Sequence, residues 1–222
     1  MPELVSVIVP VFNGARYLAE CLESLLTQDH PAVEIIVVDD GSSDDSAEIA
    51  EAFGEVRVLR RPHEGLPTTR NAGIRASTGS LIGFCDADDR WYPNKASVQV
   101  DYLHAHPACN IVLCRQDTTF EPGATPPTWL MRDQVRGDLD GVSPTSGLMR
   151  REVLDHLGGF KTTMDVGDFD LLIRARAAGF EIALIEQPLR VRRIHDDNMS
   201  GRVLVAKTEM FQTVRAHVRR QS

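Results

Sequence analysis

The sequence predicts an α/β fold whose central sheet is mostly parallel. Short apolar runs rich in β-branched residues alternate with segments whose apolar residues recur at helical spacing. The turns between them are short, and this alternation is typical of parallel strands joined by right-handed helical crossovers. A chain of 222 residues is long enough to bury a sizeable core as one domain.

The elements are expected in a regular order through the first half of the chain. Strands are predicted at residues 5–11, 33–38, 56–59, 81–85 and 110–114, and helices at 15–28, 46–53 and 94–106. A further helix, led by Pro67, carries Arg70 and Asn71 close to its start. Residues 116–146 contain four prolines and little periodicity, so we expect a long loop that faces a substrate. Helices are then predicted at 150–157, 168–178 and 203–218, and strands at 181–185 and 189–194.

Composition narrows the class of protein. The sequence is 42% hydrophobic and 25% charged, as ordinary globular proteins are, and its net charge of -8 argues against a nucleic-acid partner. No apolar run is long enough for a membrane span or a signal peptide, although docking on a membrane surface stays open. The four cysteines lack metal-finger spacing, so we expect free thiols and a cytoplasmic location.

Three acids follow the apolar strand at residues 81–85. In an open α/β sheet, ligands bind outside the carboxyl ends of the strands. If the backbone stays extended there, Asp86 and Asp88 point the same way and Ala87 the other. Two close carboxylates repel unless a cation lies between them, and Mg²⁺ or Mn²⁺ takes oxygen ligands while leaving places for phosphates. This pattern predicts a site for a metal and a diphosphate; the alternative is a solvated turn that caps the helix near Asn94.

A second strand ends in acids in the same way. Residues 33–38 run into the segment Asp39–Asp45, which contains Gly41. A glycine-centred turn whose Ser or Asp caps the next helix explains these residues equally well, and turn and site can coincide.

Several segments together resemble the family 2 glycosyltransferases of the GT-A fold. In the first half they are VIVPVFN at residues 7–13, VVDDGSSD at 37–44, RNAGI at 70–74 and FCDADD at 84–89. In the second half they are Gly158–Phe160, Asp168–Leu171 with Arg174 and Gly179, and Arg193–His195 with Asn198 and Ser200. The resemblance covers most of the chain in order, and it implies a Rossmann-like α/β/α sandwich.

The resemblance also implies a reaction. Such enzymes transfer a sugar from a nucleotide-diphosphate-sugar, most often a UDP-sugar, to a hydroxyl of a saccharide or other acceptor, with inversion and a divalent Mn²⁺ or Mg²⁺ ion. Residues 1–115 are then expected to bind nucleotide-sugar and metal, and residues 116–222 the acceptor, as halves of one domain. The oligomeric state is not implied.

Donor binding is assigned by the resemblance to a set of residues in the first half. Asp39 resembles the acid that reads the nucleobase, above a loop at residues 10–13, and Arg70 resembles the residue that reaches the nucleotide or its diphosphate. For Arg70, a surface salt bridge is the alternative. The full set is Pro10, Phe12, Asn13, Asp39, Arg70, Asn71, Asp86 and Ala87.

The metal ligands implied by the resemblance lie in both halves. Asp88 of the DxD motif resembles a direct ligand, and Asp86 a contact to ribose or metal. His195 resembles a histidine near the metal or diphosphate, with an ordinary surface or core histidine as the alternative. We interpret Asp89 as a helix cap.

The general base maps to Asp168, where a helix N-terminus favours the ionised carboxylate. A plain N-cap is the alternative. Gly167 stands where the family usually has a second acid, so Asp165 and Asp170 remain further candidates, and an inactive member stays possible.

Two other functions remain open from the sequence. One is a metal-dependent nucleotidyl- or phosphotransferase, against which the absence of a Walker loop argues. The other is a non-catalytic module that binds sugar nucleotides or glycans, which Gly167 suggests.

Overall fold

A computed structural model describes residues 2–124, 143–162, 167–196 and 198, and of residues 167–169 it describes the backbone. Within these residues eight strands form a single sheet in the order β3-β2-β1-β4-β7-β6-β8-β5. The strands are β1 (Val5–Val11), β2 (Val33–Asp39), β3 (Val56–Arg60), β4 (Leu81–Phe84), β5 (Arg90–Trp91), β6 (Cys109–Phe120), β7 (Leu148–Arg150) and β8 (Glu181–Ile194). The neighbours β3–β2, β2–β1, β1–β4 and β6–β8 run parallel, whereas β7 and β5 run antiparallel to their partners.

Helices cover both faces of the sheet. They are α1 (Ala15–Leu26), α2 (Ser46–Glu51), α3 (Leu66–Ala76), α4 (Lys95–Ala105), α5 (Arg151–Leu157) and α6 (Gly167–Ala177). Because successive strand residues point to opposite faces, Val7 and Val9 pack with α1, α2 and α4, whereas Ile8 packs with α3, α5 and α6. The α/β/α sandwich with a mostly parallel sheet is confirmed. None of these six helices has the length and hydropathy that a bilayer crossing requires.

The pairing of β6 with β8 differs from the prediction. β6 continues to Phe120 instead of ending at residue 114, and β8 is one strand where two were predicted. The two strands pair in parallel from Cys109 to Phe120, and register shifts near Arg115, opposite Pro188, absorb the irregular stretch. The neighbouring strand therefore orders residues that show no periodicity of their own.

Two short strands were not predicted. β7 inserts antiparallel between β4 and β6, and β5 pairs antiparallel with β8. Strands of three and two residues are too short to show an alternating pattern. The boundary predicted at residue 115 falls inside β6. The helix predicted at residues 203–218, and most of the loop predicted at 116–146, lie outside the described residues.

Helix α3 approaches the sheet closely because Gly73 has no side chain. A Cβ atom at Gly73 would lie 2.3 Å from Cγ2 of Ile8 in β1. This contact sets the height of α3 above β1, and α3 carries Arg70 and Asn71. The packing of one glycine thus positions two residues that the sequence assigned to a site.

We expect Gly73→Ala to lower the free energy of unfolding by about 1–3 kcal/mol, because the added methyl group must push α3 away from Ile8. Gly54→Ala is the matched control, since a Cβ there meets no atom within 4 Å. Urea unfolding of both variants measures the difference. Equal stability of the two variants would contradict this account of the packing.

Candidate functional site

The loops that follow β1, β2 and β4 lie side by side. These strands are parallel neighbours in the order β2-β1-β4, so their carboxyl ends share one edge of the sheet. In α/β sheets this edge is the usual place for a ligand. The two acidic segments of the sequence, which follow β2 and β4, therefore both lie at this edge, as their positions after strands predicted.

Asn13 joins the loop after β1 to the loop after β2. It has a left-handed backbone with φ of 52°. Its side-chain Oδ1 accepts a hydrogen bond from the Ser43 N–H at 2.8 Å, and its own N–H donates to Ser42 Oγ at 2.9 Å. Asp39 is buried, and its Oδ1 accepts the Ser42 N–H at 3.2 Å. The carboxylate of Asp39 therefore shapes the turn at Gly41, as the turn interpretation of this segment predicted.

Asp44 ties the same turn to the start of α1. Its Oδ2 accepts the Ala15 N–H at 3.0 Å, and its Oδ1 accepts the Ser46 N–H at 3.1 Å. Partial burial alone would raise the pKa of Asp44, but hydrogen bonds from Ser46 and Ala15 lower it below its usual range. The carboxylate therefore stays ionised and holds the two loops together.

The neighbouring Asp40 has a role that the sequence did not reveal. It is buried, and its two oxygens accept the N–H groups of Glu64 and Gly65, each at 2.9 Å. Its Oδ2 also lies 2.9 Å from Nδ1 of His63. The ring of Phe12, which is 48% exposed, stacks on His63 with centroids 4.1 Å apart. Asp40 thus fixes the loop before α3 beside Phe12, and only the folded chain shows that these loops meet.

Two of the predicted donor-binding residues take part in packing. Pro10 is buried in β1. β1 pairs with β4 only as far as Ile8. No hydrogen bond to β4 is therefore lost at Pro10, although proline has no N–H. Ala87 packs against the apolar core. If Pro10 or Ala87 contacts a ligand, backbone atoms therefore make most of that contact.

Arg70 reaches the turn after β4 from α3. It is 1% exposed, so the salt bridge that was the alternative for this residue is present but buried at its arginine end. Its Nη2 lies 2.9 Å from Oδ1 of Asp86, and its guanidinium lies over the rings of Phe84 and Phe160 at 5.9 and 5.2 Å. Arg70 thus brings a guanidinium to the edge of the sheet, where Asp86 balances its charge.

The backbone after β4 does not stay extended, which corrects the expected geometry of the DxD motif. The Asp89 N–H donates to the Asp86 carbonyl at 3.0 Å and so closes a turn. Asp86 consequently contacts Arg70, whereas Asp88 contacts residues that follow β8. The two acids meet different partners instead of sharing one.

Asn71 contacts the backbone of a second loop. Its Nδ2 donates to the Phe160 carbonyl at 2.7 Å, and its Oδ1 accepts the Phe160 N–H at 2.8 Å. These two bonds use one of the two amide N–H groups and one of the two lone pairs of Oδ1. The structure therefore places Asn71 in a position that stabilises the Phe160 loop, behind the ring that supports Arg70.

Asp88 and His195 come together across the site. Oδ2 of Asp88 lies 3.0 Å from Nε2 of His195 and also accepts a hydrogen bond from Nδ2 of Asn198 at 2.9 Å. Oδ1 of Asn198 in turn accepts the His195 N–H at 2.6 Å. The histidine side chain is 9% exposed and that of Asp88 29%. The DxD motif and the histidine after β8 therefore form one cluster.

This pair fits a divalent cation in part. Neighbouring ligands of an octahedral ion with bonds of about 2.1 Å are about 3 Å apart, as Oδ2 and Nε2 are here. In a hydrogen bond the proton sits on Nε2, whereas a cation between these atoms requires the tautomer with the proton on Nδ1. Among the described residues no three His, Cys, Asp or Glu side chains are grouped to hold an ion, so Asp86 does not complete the set. The other positions would fall to phosphate and water.

Asp89 does not cap a helix, so that interpretation is wrong. It is buried, its Oδ2 pairs with Nη2 of Arg190 at 3.1 Å, and its Oδ1 accepts the Arg193 N–H at 2.9 Å. Burial raises the pKa of Asp89 to about 7, against the opposing charge of Arg190. Helix α4 instead begins after Asn94. Asp89 therefore attaches the acidic turn to β8.

Asp168 is the second residue of α6, at the helix N-terminus as predicted. Its side chain, and all of Asp165, lie outside the described residues. Asp170 is bound in ion pairs, with Nε of Arg174 at 2.6 Å and Nζ of Lys161 at 3.5 Å. These contacts give Asp170 a structural role, and Asp168 stays the predicted base, with Asp165 as the further candidate.

Comparison with known proteins identifies the family and supports the fold. The model of the family described as Glycosyl transferase family 2 matches residues 6–158. An uncharacterized glycosyltransferase of Nostoc sp. is 32% identical over 167 residues, which are 68% of this chain and 52% of that protein. The uncharacterized glycosyltransferase EpsJ of Bacillus subtilis is 45% identical over 93 residues, which are 40% and 27% of the two chains. The chain thus spans about half of the Nostoc protein and less of the other.

Solved structures share the fold at low sequence identity. TarS of S. aureus in complex with UDP-GlcNAc superposes with a TM-score of 0.73 and 21% identity, over 88% of this chain and 60% of that one. The mannosyltransferase PcManGT of Pyrobaculum calidifontis, in complex with GDP-Man and Mn²⁺, gives a TM-score of 0.70 and 22% identity, over 89% and 59%. The family match extends from β1 through α5 and includes the DxD turn. This chain belongs to glycosyl transferase family 2.

Proposed function

We propose that this chain transfers a sugar from a nucleotide-diphosphate-sugar to a hydroxyl of a saccharide or other acceptor, with inversion and the help of Mn²⁺ or Mg²⁺. The observation that carries the proposal is the meeting of Asp88 with His195, at 3.0 Å, beside the loops after β1 and β2. An acid and a neutral imidazole at this separation suit a divalent ion that also binds a diphosphate.

The donor is the best supported substrate. Two proteins with the same fold are described in complex with nucleotide-sugars, UDP-GlcNAc for TarS and GDP-Man with Mn²⁺ for PcManGT. In this chain Phe12 offers an exposed ring beside the buried carboxylate of Asp39, which suits a flat base with N–H groups. We propose a UDP-sugar first, with dTDP- and GDP-sugars as alternatives.

The charges at the sheet edge suit a diphosphate leaving group. A bound divalent ion supplies Lewis-acid stabilisation of the negative charge that develops on the diphosphate. Arg70 contributes a buried guanidinium that Asp86 holds at 2.9 Å. Because this side chain is already ordered, it loses little conformational entropy when phosphate binds. Asp88 and His195 hold the ion, and the residues around them exclude water from one side.

The acceptor is activated by Asp168 in this proposal. Its carboxylate takes the proton from the acceptor hydroxyl as the oxygen attacks the anomeric carbon, opposite the diphosphate. The bond from that carbon to the diphosphate oxygen breaks, and the nucleoside diphosphate leaves with the electron pair. The configuration at the carbon inverts. At the start of α6 the helix dipole favours the ionised form that a base requires.

The two halves of the chain divide these tasks. Residues 1–115 supply the donor loops and the DxD motif, and residues 116–222 supply the base and the acceptor site. His195 is the exception, because it belongs to the second half and lies beside Asp88 of the first half. The shared sheet makes that possible, since β8 pairs with β5 directly after the acidic turn.

Nucleotide binding provides the first test. We expect one of UDP, dTDP and GDP to raise the melting temperature with Mn²⁺ present, by about 5–10 °C at a hundred times Kd. The shift should be lost in Asp88→Asn, which removes the anionic ligand. Differential scanning fluorimetry of both proteins measures it. Asp101→Asn, an exposed change on α4, is the control and should respond like wild type.

No nucleotide effect on a folded wild-type chain would rule out the donor site. A shift of equal size in Asp88→Asn would keep nucleotide binding but refute the assignment of the metal to the DxD motif.

Turnover tests the role of the base. We expect Asp168→Asn to keep nucleotide binding but to slow nucleotide release from the donor by about 10²–10⁴-fold, because the amide accepts no proton. Release of nucleoside diphosphate from a nucleotide-sugar in the presence of candidate acceptors measures this rate. Arg176→Gln is the control on the same helix and should keep turnover, since Arg176 is exposed. A wild-type chain that binds the donor but releases no more product than Asp168→Asn would instead support a binding module.

A further inference from the structure

We infer that Arg193 is the positioning residue that holds Asp88 and His195 at the separation a divalent ion requires. The inference rests on the proposed function, because it concerns the affinity of the same metal site. Arg193 itself contacts neither substrate nor ion in this account. It acts through the turn on one side and the histidine ring on the other.

Arg193 holds the acidic turn by two bonds. Its Nε donates to the carbonyl oxygen of Asp88 at 3.1 Å. Its backbone N–H donates to Oδ1 of Asp89 at 2.9 Å, and Asp89 is itself paired with Arg190 of the same strand. The turn is thereby fixed to the last residues of β8, two positions before His195.

The guanidinium of Arg193 also reaches helix α1. Its Nη2 forms an ion pair with Glu20, which pairs in addition with Arg90 at 2.9 Å. The same group lies 4.9 Å from the centroid of the Tyr17 ring. The Tyr17 ring packs against the His195 ring with centroids 4.7 Å apart. One side chain therefore links the backbone of Asp88 to the aromatic surface on which His195 rests.

This arrangement needs an arginine. The planar guanidinium donates in several fixed directions at once, so it can bond to Asp88, pair with Glu20 and lie on Tyr17 together. A lysine ammonium keeps the charge but does not reproduce this geometry. Loss of residues that orient metal ligands typically costs about 10–100-fold in metal affinity.

The position of Arg193 makes it suitable for mutation. Its side chain is 17% exposed and lies at the rim of the site, outside the two apolar clusters. Replacing Asp89 would instead leave the charge of Arg190 buried without its partner. Variants of Arg193 should therefore fold and report on the site itself.

The test is Mn²⁺ binding by the chain in the presence of saturating UDP, or of whichever nucleotide stabilises wild type. Loss of the free-ion EPR signal gives the Mn²⁺ concentration at half saturation. We expect Arg193→Ala to raise it about 10–100-fold, and Arg193→Lys to recover only part of the affinity. The melting temperature without metal or nucleotide should stay close to that of wild type. Arg115→Ala, which breaks a surface pair with Glu186, is the matched control and should bind Mn²⁺ like wild type.

Glu20→Gln gives an independent readout, because it weakens the hold on Arg193 from α1 and should raise half saturation several-fold. If Arg193→Ala does not fold, this variant decides the question. Wild-type affinity for Mn²⁺ in a folded Arg193→Ala, or in Glu20→Gln when that variant decides, would overturn the inference and leave the proposed function standing. A wild-type chain that binds no Mn²⁺ with any of the nucleotides would overturn both.

Discussion

The contact between Asp88 and His195 joins residues 107 positions apart in the chain, and the site is organised around it. Three features bring the two together: the turn that Asp86 and Asp89 close, the pairing of β5 with β8, and the arginines of β8 that hold the turn. Because β8 also pairs with β6 along its length, the histidine is fixed to the same sheet as the DxD motif. The arrangement of Asp88 and His195 therefore depends on the whole sheet.

The acids at this edge of the sheet have different partners and therefore different roles. Asp40 is satisfied by backbone N–H groups, Asp86 by Arg70 and Asp89 by Arg190. Within the acidic turn, the side chain of Asp88 has a histidine and an amide as its partners. Neither group carries a fixed positive charge that would repel a cation bound beside it. A row of acids that looks uniform in sequence thus contains one carboxylate suited to a metal and others that build the loops around it.

The sequence predicted the first four strands to within one residue, since each is a short apolar run with β-branched residues and clear borders. It also placed the acids after β2 and β4 at the carboxyl ends of strands, where α/β sheets bind ligands. It did not predict β5, β7, the tether at Asp40 or the role of Arg193, all of which depend on partners far along the chain. The expected extended acidic segment was wrong because one backbone hydrogen bond closes it. The role of Asp168 stays a prediction.

We propose that a divalent ion binds between Asp88 and His195. Electron spin echo envelope modulation of Mn²⁺ bound to the protein with its nucleotide tests it most directly, because this method detects nitrogen coordinated to the ion. We expect modulation from a directly bound imidazole nitrogen in wild type and its loss in His195→Gln. Manganese bound to wild type without nitrogen coordination, or with coordination unchanged in His195→Gln, would contradict it.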